Sequence, residues 1–223
     1  MPAPPLSPGG AAESAPTTST DPDEVKKALR RTSASGRRVL AEDTRRRNDE
    51  SRTTRVLSLV REQWPAHKAV IGCYLSISPE PDTLALVALL QSMGHEILAP
   101  VLSRRAGTGA PRPVAWARYE GPASLTPGFH AIPEPKGEVL RADALLRADL
   151  VIASGLAGGL DGSRVGTGGG WFDRALTSLP DGAPVWLLLN DSEVHASIPQ
   201  QAHDHPISTI VTPTRTLRTT MRE

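Results

Sequence analysis

The fold of this chain is decided by the segment LVIASGLAGGLDGSRVGTGGGWFDRAL, residues 150–176. Its first four residues are apolar and predict a buried strand, and Asp173–Ser178 can begin a helix. A glycine-rich stretch joins the two, with Arg164 before its main run of glycines. Glycines let backbone amides approach an anion closely, and the start of a helix adds a favourable partial charge. The segment therefore predicts a strand, a turn and a helix that together bind the phosphates of a nucleotide.

The spacing of these glycines differs from that of two common phosphate motifs. GTGGG, residues 166–170, lacks the spacing of the dinucleotide fingerprint, and no Gly-Lys-Ser/Thr follows it as in a Walker A loop. Taken alone, the glycines also fit a plain flexible turn. Arg164 and Asp173 favour the phosphate site, because arginine contacts phosphate and a carboxylate can hold Mg²⁺ beside a nucleotide.

Helical and strand patterns alternate along the chain, which predicts an α/β fold with a mostly parallel sheet. Helices are predicted from Asp21-Pro22 onward, over about Thr44–Gln63, and from Asp82-Thr83 to Met93-Gly94. Strands are predicted at Ala69–Tyr74, Glu96–Pro100, Val114–Tyr119, Asp149–Ser154, Val185–Leu189 and, at the sheet edge, Ile207–Val211. Pro122–Gly137, with four prolines, is predicted to be an extended loop.

Ligands of parallel sheets bind beyond the carboxyl ends of the strands. The loop Ser76–Asp82, the glycine-rich stretch after Ser154 and the segment after Leu189 all follow predicted strands. We therefore expect these three regions to form one composite site.

Composition indicates the domain limits and gives no sign of general binding to nucleic acid or membranes. Residues 1–20 are predicted to be a disordered tail rich in Pro, Ala, Ser and Thr, 21–215 a single domain, and 216–223 a C-terminal tail. Lys and Arg number 25 against 24 Asp and Glu, so the balance of charge gives no general attraction to nucleic acid or membranes. The arginines crowded into the first quarter fit either a solvated helical face or the attraction of anionic ligands.

Cys73 is the only cysteine, which excludes an intrachain disulfide and a cysteine-based metal cluster. The chain carries no secretory signal pattern and no apolar run of about 20 residues. These features predict a cytoplasmic protein. Asp204 lies in the run His-Asp-His-Pro, residues 203–206, which by itself fits either a metal-binding cluster or a polar surface loop. The other four histidines are scattered and do not have zinc-ligand spacing.

Residues 162–174, GSRVGTGGGWFDR, resemble the pattern G-x-R-L-G-x-G-x-G-Y-Y-D-R of the 5-formyltetrahydrofolate cyclo-ligase family. Three more segments match that family in the right order. Residues 26–30 are similar to its K-x-x-L-R, residues 74–83 to its Y-x-S-x-x-x-E-x-D-T, and residues 199–204 to its P-x-x-x-x-D. The resemblance covers about Glu24 to Thr212.

The resemblance implies a three-layer, Rossmann-like α/β fold with helices on both faces of the sheet, similar to the NagB/RpiA/CoA-transferase-like fold. It implies a ligase that forms a C–N bond, converting 5-formyltetrahydrofolate and ATP to 5,10-methenyltetrahydrofolate, ADP and phosphate with Mg²⁺. It also implies a monomer with a small-molecule substrate, without a membrane or nucleic-acid partner. Phosphoryl transfer needs positioning and charge neutralisation more than a protein nucleophile, which agrees with these residue types.

The resemblance also implies roles for individual residues. For ATP these are Lys26, Lys27, Ala28, Leu29, Arg30, Arg164, Val165, Gly166, Thr167, Gly168, Gly169, Gly170, Trp171 and Phe172. For the folate they are Leu75, Glu80, Thr167, Gly168, Gly169, Gly170 and Trp171. The metal ligands are Asp173 and Asp204, and the catalytic residues are Lys26, Arg164 and Asp173.

Five residues at three places depart from the family pattern. Gly158-Gly159 replace an aromatic residue and an aspartate, Trp171-Phe172 replace a tyrosine pair, and Ser208 replaces a frequent second aspartate. The loss at Gly158-Gly159 motivates an alternative, a non-catalytic or RNA-associated member of this fold that keeps nucleotide or folate binding. A sugar-phosphate enzyme on a similar scaffold is a further alternative.

Overall fold

The computed structural model describes residues 21–103, 112–201 and 204–220. The α-helices of these residues are α1 (Pro22–Val39), α2 (Glu42–Gln63), α3 (Leu84–Ser92) and α4 (Trp171–Leu176). The strands are β1 (Val70–Cys73), β2 (Glu96–Pro100), β3 (Ala115–Arg118), β4 (Leu125–Pro127), β5 (Pro133–Pro135), β6 (Leu140–Arg141), β7 (Leu150–Ala153), β8 (Ala157–Gly159), β9 (Arg164–Val165), β10 (Val185–Leu188), β11 (Val194–His195), β12 (Thr209–Val211) and β13 (Thr216–Arg218).

A mixed sheet of eight strands forms the centre of the described structure, in the order β13-β12-β10-β7-β1-β2-β3-β6. The five strands from β12 to β2 are parallel, and β13, β3 and β6 pair antiparallel at the two sides. Every residue of β7 and β10 is buried, as expected of parallel strands covered on both faces. The predicted α/β class with a mostly parallel sheet is confirmed.

The connections of the parallel strands run in two directions from the middle of the sheet. From β1 the chain passes through α3 to β2 on one side, and from β7 it passes through α4 to β10 on the other. Since such crossovers are almost always right-handed, opposite directions place α3 and α4 on opposite faces of the sheet. The point between β1 and β7 is therefore a topological switch point, where open α/β sheets bind their ligands.

The hydrophobic core follows this architecture. Its largest fully buried side chains include Trp116, Trp186 and Ile71, and the cluster reaches from α2 through the central strands to α4. In the residues that the structure describes, no helix has the length and apolar character to span a membrane.

Several predicted boundaries differ from the structure. Ile207–Val211, predicted to be the edge strand, contributes β12, which lies inside the sheet because Thr216–Arg218 add β13 beyond it. Residue 216 was predicted to begin the C-terminal tail, so the last strand lies just past the predicted domain limit. The predicted loop Pro122–Gly137 contains the short hairpin of β4 and β5. Residues 1–20 and most of the polar loop after Ser103 lie outside the described residues.

A small second sheet, β11-β8-β9, carries the two glycines that replace larger residues of the family pattern. Gly158 and Gly159 are buried in β8, and other side chains occupy the space beside them. A Cβ on Gly158 would lie 2.9 Å from Leu187 Cδ2, and one on Gly159 would overlap the side chains of Ser163 and Asp161. These neighbours fill the volume where an aromatic residue or an aspartate would need to fit.

We expect Gly159→Ala to lower the free energy of unfolding by about 1–3 kcal/mol, the usual cost of overpacking a buried site. The Ser163 hydroxyl that would have to move accepts a bond from the backbone N–H of Ile198 at 2.9 Å. Urea unfolding measures the effect. Gly36→Ala is the control, because no atom lies within 4 Å of a Cβ there and alanine in mid-helix stabilises by about 1 kcal/mol. An unchanged unfolding free energy for Gly159→Ala would contradict the packing described for β8.

Candidate functional site

A cavity of about 300 Å³ lies beyond the carboxyl ends of β1 and β7. Tyr74 and Leu75 follow β1 and Ser154 follows β7, so the cavity occupies the switch point of the sheet. Its remaining lining comes from α1, the segments after β2 and around β5, the glycine-rich stretch and the region of Asp204. Of the three regions expected to form one site, the loop after β1 and the glycine-rich stretch meet here, and the chain after β10 supplies Gln201 and Asp204.

The glycine-rich stretch forms one wall of this cavity. Gly166 to Gly170 line it continuously, and α4 begins immediately afterwards at Trp171. Gly168 has φ +103° and Gly170, the N-cap of α4, has φ +59°. Glycine adopts these angles without the steric cost that a Cβ imposes. The wall therefore presents backbone, with little side-chain bulk, toward the cavity.

Arg164 and Asp173 flank this wall and form an ion pair between the Nη2 and Oδ1 atoms. Arg164 is buried and also donates from Nη1 to the carbonyl oxygen of Ser154 at 3.3 Å. Both residues line the cavity. The predicted phosphate-binding arginine and one predicted metal ligand thus hold each other in place at the end of β7.

Helix α1 brings two more cations to the cavity. Its start is set by the side chain of Asp21, which accepts a bond from the backbone N–H of Asp23, with Pro22 in the first turn. The Lys26 ammonium is buried and pairs with Asp204 Oδ2 at 2.7 Å. Arg30, one turn later on the same face, donates from Nε to the carbonyl oxygen of Gly166 at 3.0 Å. The helix consequently reaches both the glycine wall and the other predicted metal ligand.

Not all of the predicted ATP-binding residues line the cavity. Lys27 is exposed and pairs with Glu24, and Ala28 is exposed. Leu29 packs on Ala157, Val165 and Ile198 instead. In an α-helix only positions three or four apart share a face, so a run of five consecutive residues cannot all face one ligand. Lys26 and Arg30 are the two that do.

The two residues predicted to hold the folate both line the cavity. Leu75 is buried two residues past the end of β1, and Glu80 is held by a tight turn in which its Oε2 accepts a bond from the backbone N–H of Ile77 at 3.0 Å. Burial raises the pKa of the Glu80 carboxyl above its ordinary value, while the N–H of Ile77 and the charge of Arg37 partly oppose that rise. Glu80 is thus a half-buried acid that ionises at higher pH than an exposed glutamate.

This shift predicts how folate affinity depends on pH, if Glu80 binds the substrate as a carboxylate. Because the pKa is raised, the carboxylate is fully present well above it and is lost as the pH falls through it, earlier than for an ordinary glutamate. We expect the KM for the folate substrate that the resemblance implies to rise as the pH is lowered from 8 to 5, after subtraction of the background rate without ATP. Glu80→Gln should have a raised KM with little dependence on pH. If wild type and Glu80→Gln show the same pH profile, Glu80 does not bind the folate through its charge.

Some cavity residues were not predicted from the sequence. Pro100 ends β2 and Leu102 follows it, and Ile132 and Pro133 lie at the start of β5. Together they give the cavity an apolar side. The buried carboxylate of Glu134 joins these segments, since it accepts bonds from Leu102 N at 2.8 Å and Ser103 Oγ at 2.6 Å. The sequence offered one indication that these residues line a site, because Pro100 lies at the carboxyl end of a predicted strand.

Asp173 and Asp204, the two predicted ligands of Mg²⁺, both line the cavity. The described residues contain no group of three or more His, Cys, Asp or Glu side chains that could form a complete metal site. Mg²⁺ in nucleotide sites commonly takes one or two carboxylates and completes its shell with phosphate oxygens and water. Each aspartate pairs with a cation that lines the same cavity, so the donor set fits a metal that arrives together with a nucleotide.

The fold and cavity define an α/β protein with a ligand site at its switch point, suited by its glycine wall and three cations to a phosphorylated ligand. The sequence model of the 5-formyltetrahydrofolate cyclo-ligase family matches residues 22–213, which is most of the chain. The chain therefore belongs to the 5-formyltetrahydrofolate cyclo-ligase family.

Individual relatives agree with this assignment. The chain is 32% identical over 145 residues to a 5-formyltetrahydrofolate cyclo-ligase of Mycolicibacterium smegmatis, an alignment that covers 65% of this chain and 74% of the relative. It is 28% identical over 147 residues to the protein of that description from Escherichia coli K12, covering 65% and 78%.

Solved structures of similar proteins share the fold. The NMR structure of an Aquifex aeolicus 5,10-methenyltetrahydrofolate synthetase superposes with a TM-score of 0.70 at 26% identity, covering 89% of this chain and 95% of that one. A 5,10-methenyltetrahydrofolate synthetase from Mycoplasma pneumoniae superposes with a TM-score of 0.64 at 15% identity, covering 84% and 98%, and shows the fold alone.

Proposed function

We propose that this chain catalyses the ATP-dependent cyclisation of 5-formyltetrahydrofolate to 5,10-methenyltetrahydrofolate, with release of ADP and phosphate, in the cavity beyond β1 and β7. Family membership supports the reaction. The observation that carries the location is the meeting in one cavity of a glycine wall, three cations, two aspartates and the residues predicted to hold the folate. We further propose that the chain from residue 21 through β13 forms a single domain that acts as a cytoplasmic monomer on a small-molecule substrate, without nucleic acid.

The nucleotide phosphates lie along Gly166–Gly170 in this proposal. Backbone amides of such a segment and the cations Lys26, Arg30 and Arg164 supply hydrogen bonds and positive charge to an anion. Because Lys26 and Arg164 are already desolvated, their attraction to phosphate is less weakened by water than that of surface cations.

Asp173 and Asp204 would hold Mg²⁺ beside the phosphates. The bound metal would supply neutralisation of the charge that develops on the transferred phosphoryl group. In the structure these aspartates neutralise Arg164 and Lys26. When the ligands bind, the cations gain phosphate partners and the carboxylates become available to the metal, so neither charge is left buried without a counter-charge.

The folate occupies the remainder of the cavity. Leu75 and the apolar side of Pro100, Leu102 and Ile132 offer contact to its ring systems, and Glu80 can accept hydrogen bonds from N–H groups of the pterin. Trp171 adds an aromatic face, which is itself fixed by an edge contact with Trp116 at 5.0 Å between ring centroids.

The chemistry requires positioning more than a protein nucleophile. The formyl oxygen of the substrate attacks the γ-phosphorus of ATP and ADP leaves. The 10-nitrogen then attacks the activated formyl carbon and gives up its proton, the carbon–oxygen bond breaks, and the departing phosphate takes up the proton. Lys26 and Arg164 would offset the negative charge on the transferred group, while the cavity holds the two substrates in reacting order.

The test is the appearance of methenyl absorbance when the purified chain is mixed with 5-formyltetrahydrofolate, ATP and Mg²⁺. We expect a rise that depends on the protein and disappears when ATP is omitted or Mg²⁺ is chelated. Absence of an ATP-dependent rise at high protein concentration would overturn the proposal.

A further inference from the structure

The buried face of α1 is unusually polar for a helix that packs on a protein core. Lys26, Arg30, Ser33 and Arg37 recur at helical spacing along this face, and three of them are buried. Apolar residues contribute less, since Leu29 is only half-buried and Val39 is 79% exposed. The position of α1 therefore depends on what its cations bind.

Arg37 is the most buried of these cations, with 3% of its surface exposed. Its guanidinium holds both carboxylate oxygens of Glu193, from Nε at 2.7 Å and from Nη2 at 2.8 Å, and Nη2 also donates to the carbonyl oxygen of Gly155 at 2.8 Å. Glu193 is fixed in turn by the backbone N–H and side-chain amide of Asn190. Such a two-pronged, fully bonded pair has one geometry that satisfies all of its members.

The partners of Arg37 lie next to the site. Gly155 directly follows the cavity residue Ser154 at the end of β7, and Glu193 lies in the turn after β10. Arg37 itself does not line the cavity, whereas Lys26 and Arg30 do. About three helical turns separate Arg37 from Lys26, so fixing one end of this rigid helix fixes where the other end places its ammonium group.

We propose that Arg37, through Glu193 and Gly155, is a positioning residue that holds the phosphate-binding end of α1 over the cavity. This inference rests on the proposed function. Lys26 and Arg30 must exchange partners when a nucleotide binds, and Arg37 keeps the helix in register during that exchange because all of its partners belong to the protein. A small misplacement of Lys26 or Arg30 should slow the reaction strongly, since a shift of about 1 Å can lower the rate roughly 100-fold.

The test compares Arg37→Met with wild type at pH 8. The charge of Arg37 also lowers the pKa of Glu80, and the loss of that effect changes the ionisation of Glu80 least at high pH. We expect the KM for ATP to rise about 10-fold, equivalent to about 1.4 kcal/mol, with the KM for the folate within about 2-fold of wild type. Calorimetric titration with a non-hydrolysable ATP analogue should show the same loss of affinity. Arg38→Met is the matched control, because Arg38 is the exposed neighbour on the same helix, and it should leave both KM values unchanged.

A second variant distinguishes the loss of positioning from misfolding. Arg37→Lys keeps the charge and can reach one oxygen of Glu193 but cannot reproduce the fork, so its KM for ATP should fall between wild type and Arg37→Met. A lower melting temperature with a wild-type KM for ATP in both variants would overturn the inference and leave Arg37 a purely structural residue. Failure of the wild type to show ATP-dependent turnover would overturn the proposed function itself, and the inference with it.

Discussion

Asp173→Asn is expected to lower kcat for methenyl formation by about 100-fold or more, with a smaller change in the KM for the folate. Asparagine keeps the shape of the side chain and removes its charge, so the effect reports on electrostatics. Removing one preorganised electrostatic group typically costs about 100- to 1,000-fold in kcat. The change has two causes here, because Asp173 is a proposed ligand of Mg²⁺ and also the carboxylate paired with buried Arg164.

Asp43→Asn is the matched control for this prediction. Asp43 forms the same kind of pair with Arg46, at 3.2 Å, but both side chains are mostly exposed on α2. Exposed pairs contribute little, so kcat should stay within about 2-fold of wild type. The metal requirement of Asp173→Asn, measured as the Mg²⁺ concentration for half-maximal rate, should rise. Turnover near the wild-type rate in Asp173→Asn would remove this residue from the proposed metal site.

Lys26→Met is expected to raise the KM for ATP by about 10- to 100-fold while the KM for the folate changes much less. A charge-assisted hydrogen bond contributes about 1.5–3 kcal/mol, which corresponds to this range. Methionine preserves most of the apolar stem of lysine, so the substitution removes the ammonium group with little loss of packing. Initial rates over a series of ATP concentrations give the KM directly.

Lys27, the residue after Lys26, supplies the control for this prediction. Lys27 carries the same charge one position later but is exposed and faces Glu24, away from the cavity. Lys27→Met should therefore behave as wild type, within about 2-fold. Equal losses in the two variants would mean that the helix contributes only diffuse positive charge, and would contradict the assignment of the phosphate contact to Lys26.

The elements that could be predicted from the sequence are those that depend on residues close together in the chain. Apolar runs identified β1, β2, β7 and β10, and the order of strand and helix around Asp82–Pro100 indicated a parallel unit. The glycine-rich stretch stands out in the sequence because the backbone there adopts positive φ angles at Gly168 and Gly170, which glycine tolerates best. The resemblance to a family then supplied Lys26, Glu80 and Asp204, which no local pattern connects.

What could not be predicted depends on pairing between distant parts of the chain. Thr216–Arg218 have no strong strand pattern and become β13 because the edge of β12 offers them hydrogen bonds. The pair of Arg37 and Glu193 joins two charged residues that each look like surface groups in sequence. Likewise, the apolar side of the cavity is assembled from segments after β2 and around β5 that only the fold brings together.

The bond between Lys26 and Asp204 has a consequence for how the protein is made. The two residues are 178 positions apart, yet both face the same cavity. At a synthesis rate of roughly 5–20 residues per second, about 9–36 seconds pass between the addition of one and the addition of the other. Throughout that time Lys26 in the nascent chain has no Asp204 with which to pair. The proposed site is thus completed only after Asp204 has been added, so a chain released before that point lacks part of the cavity lining.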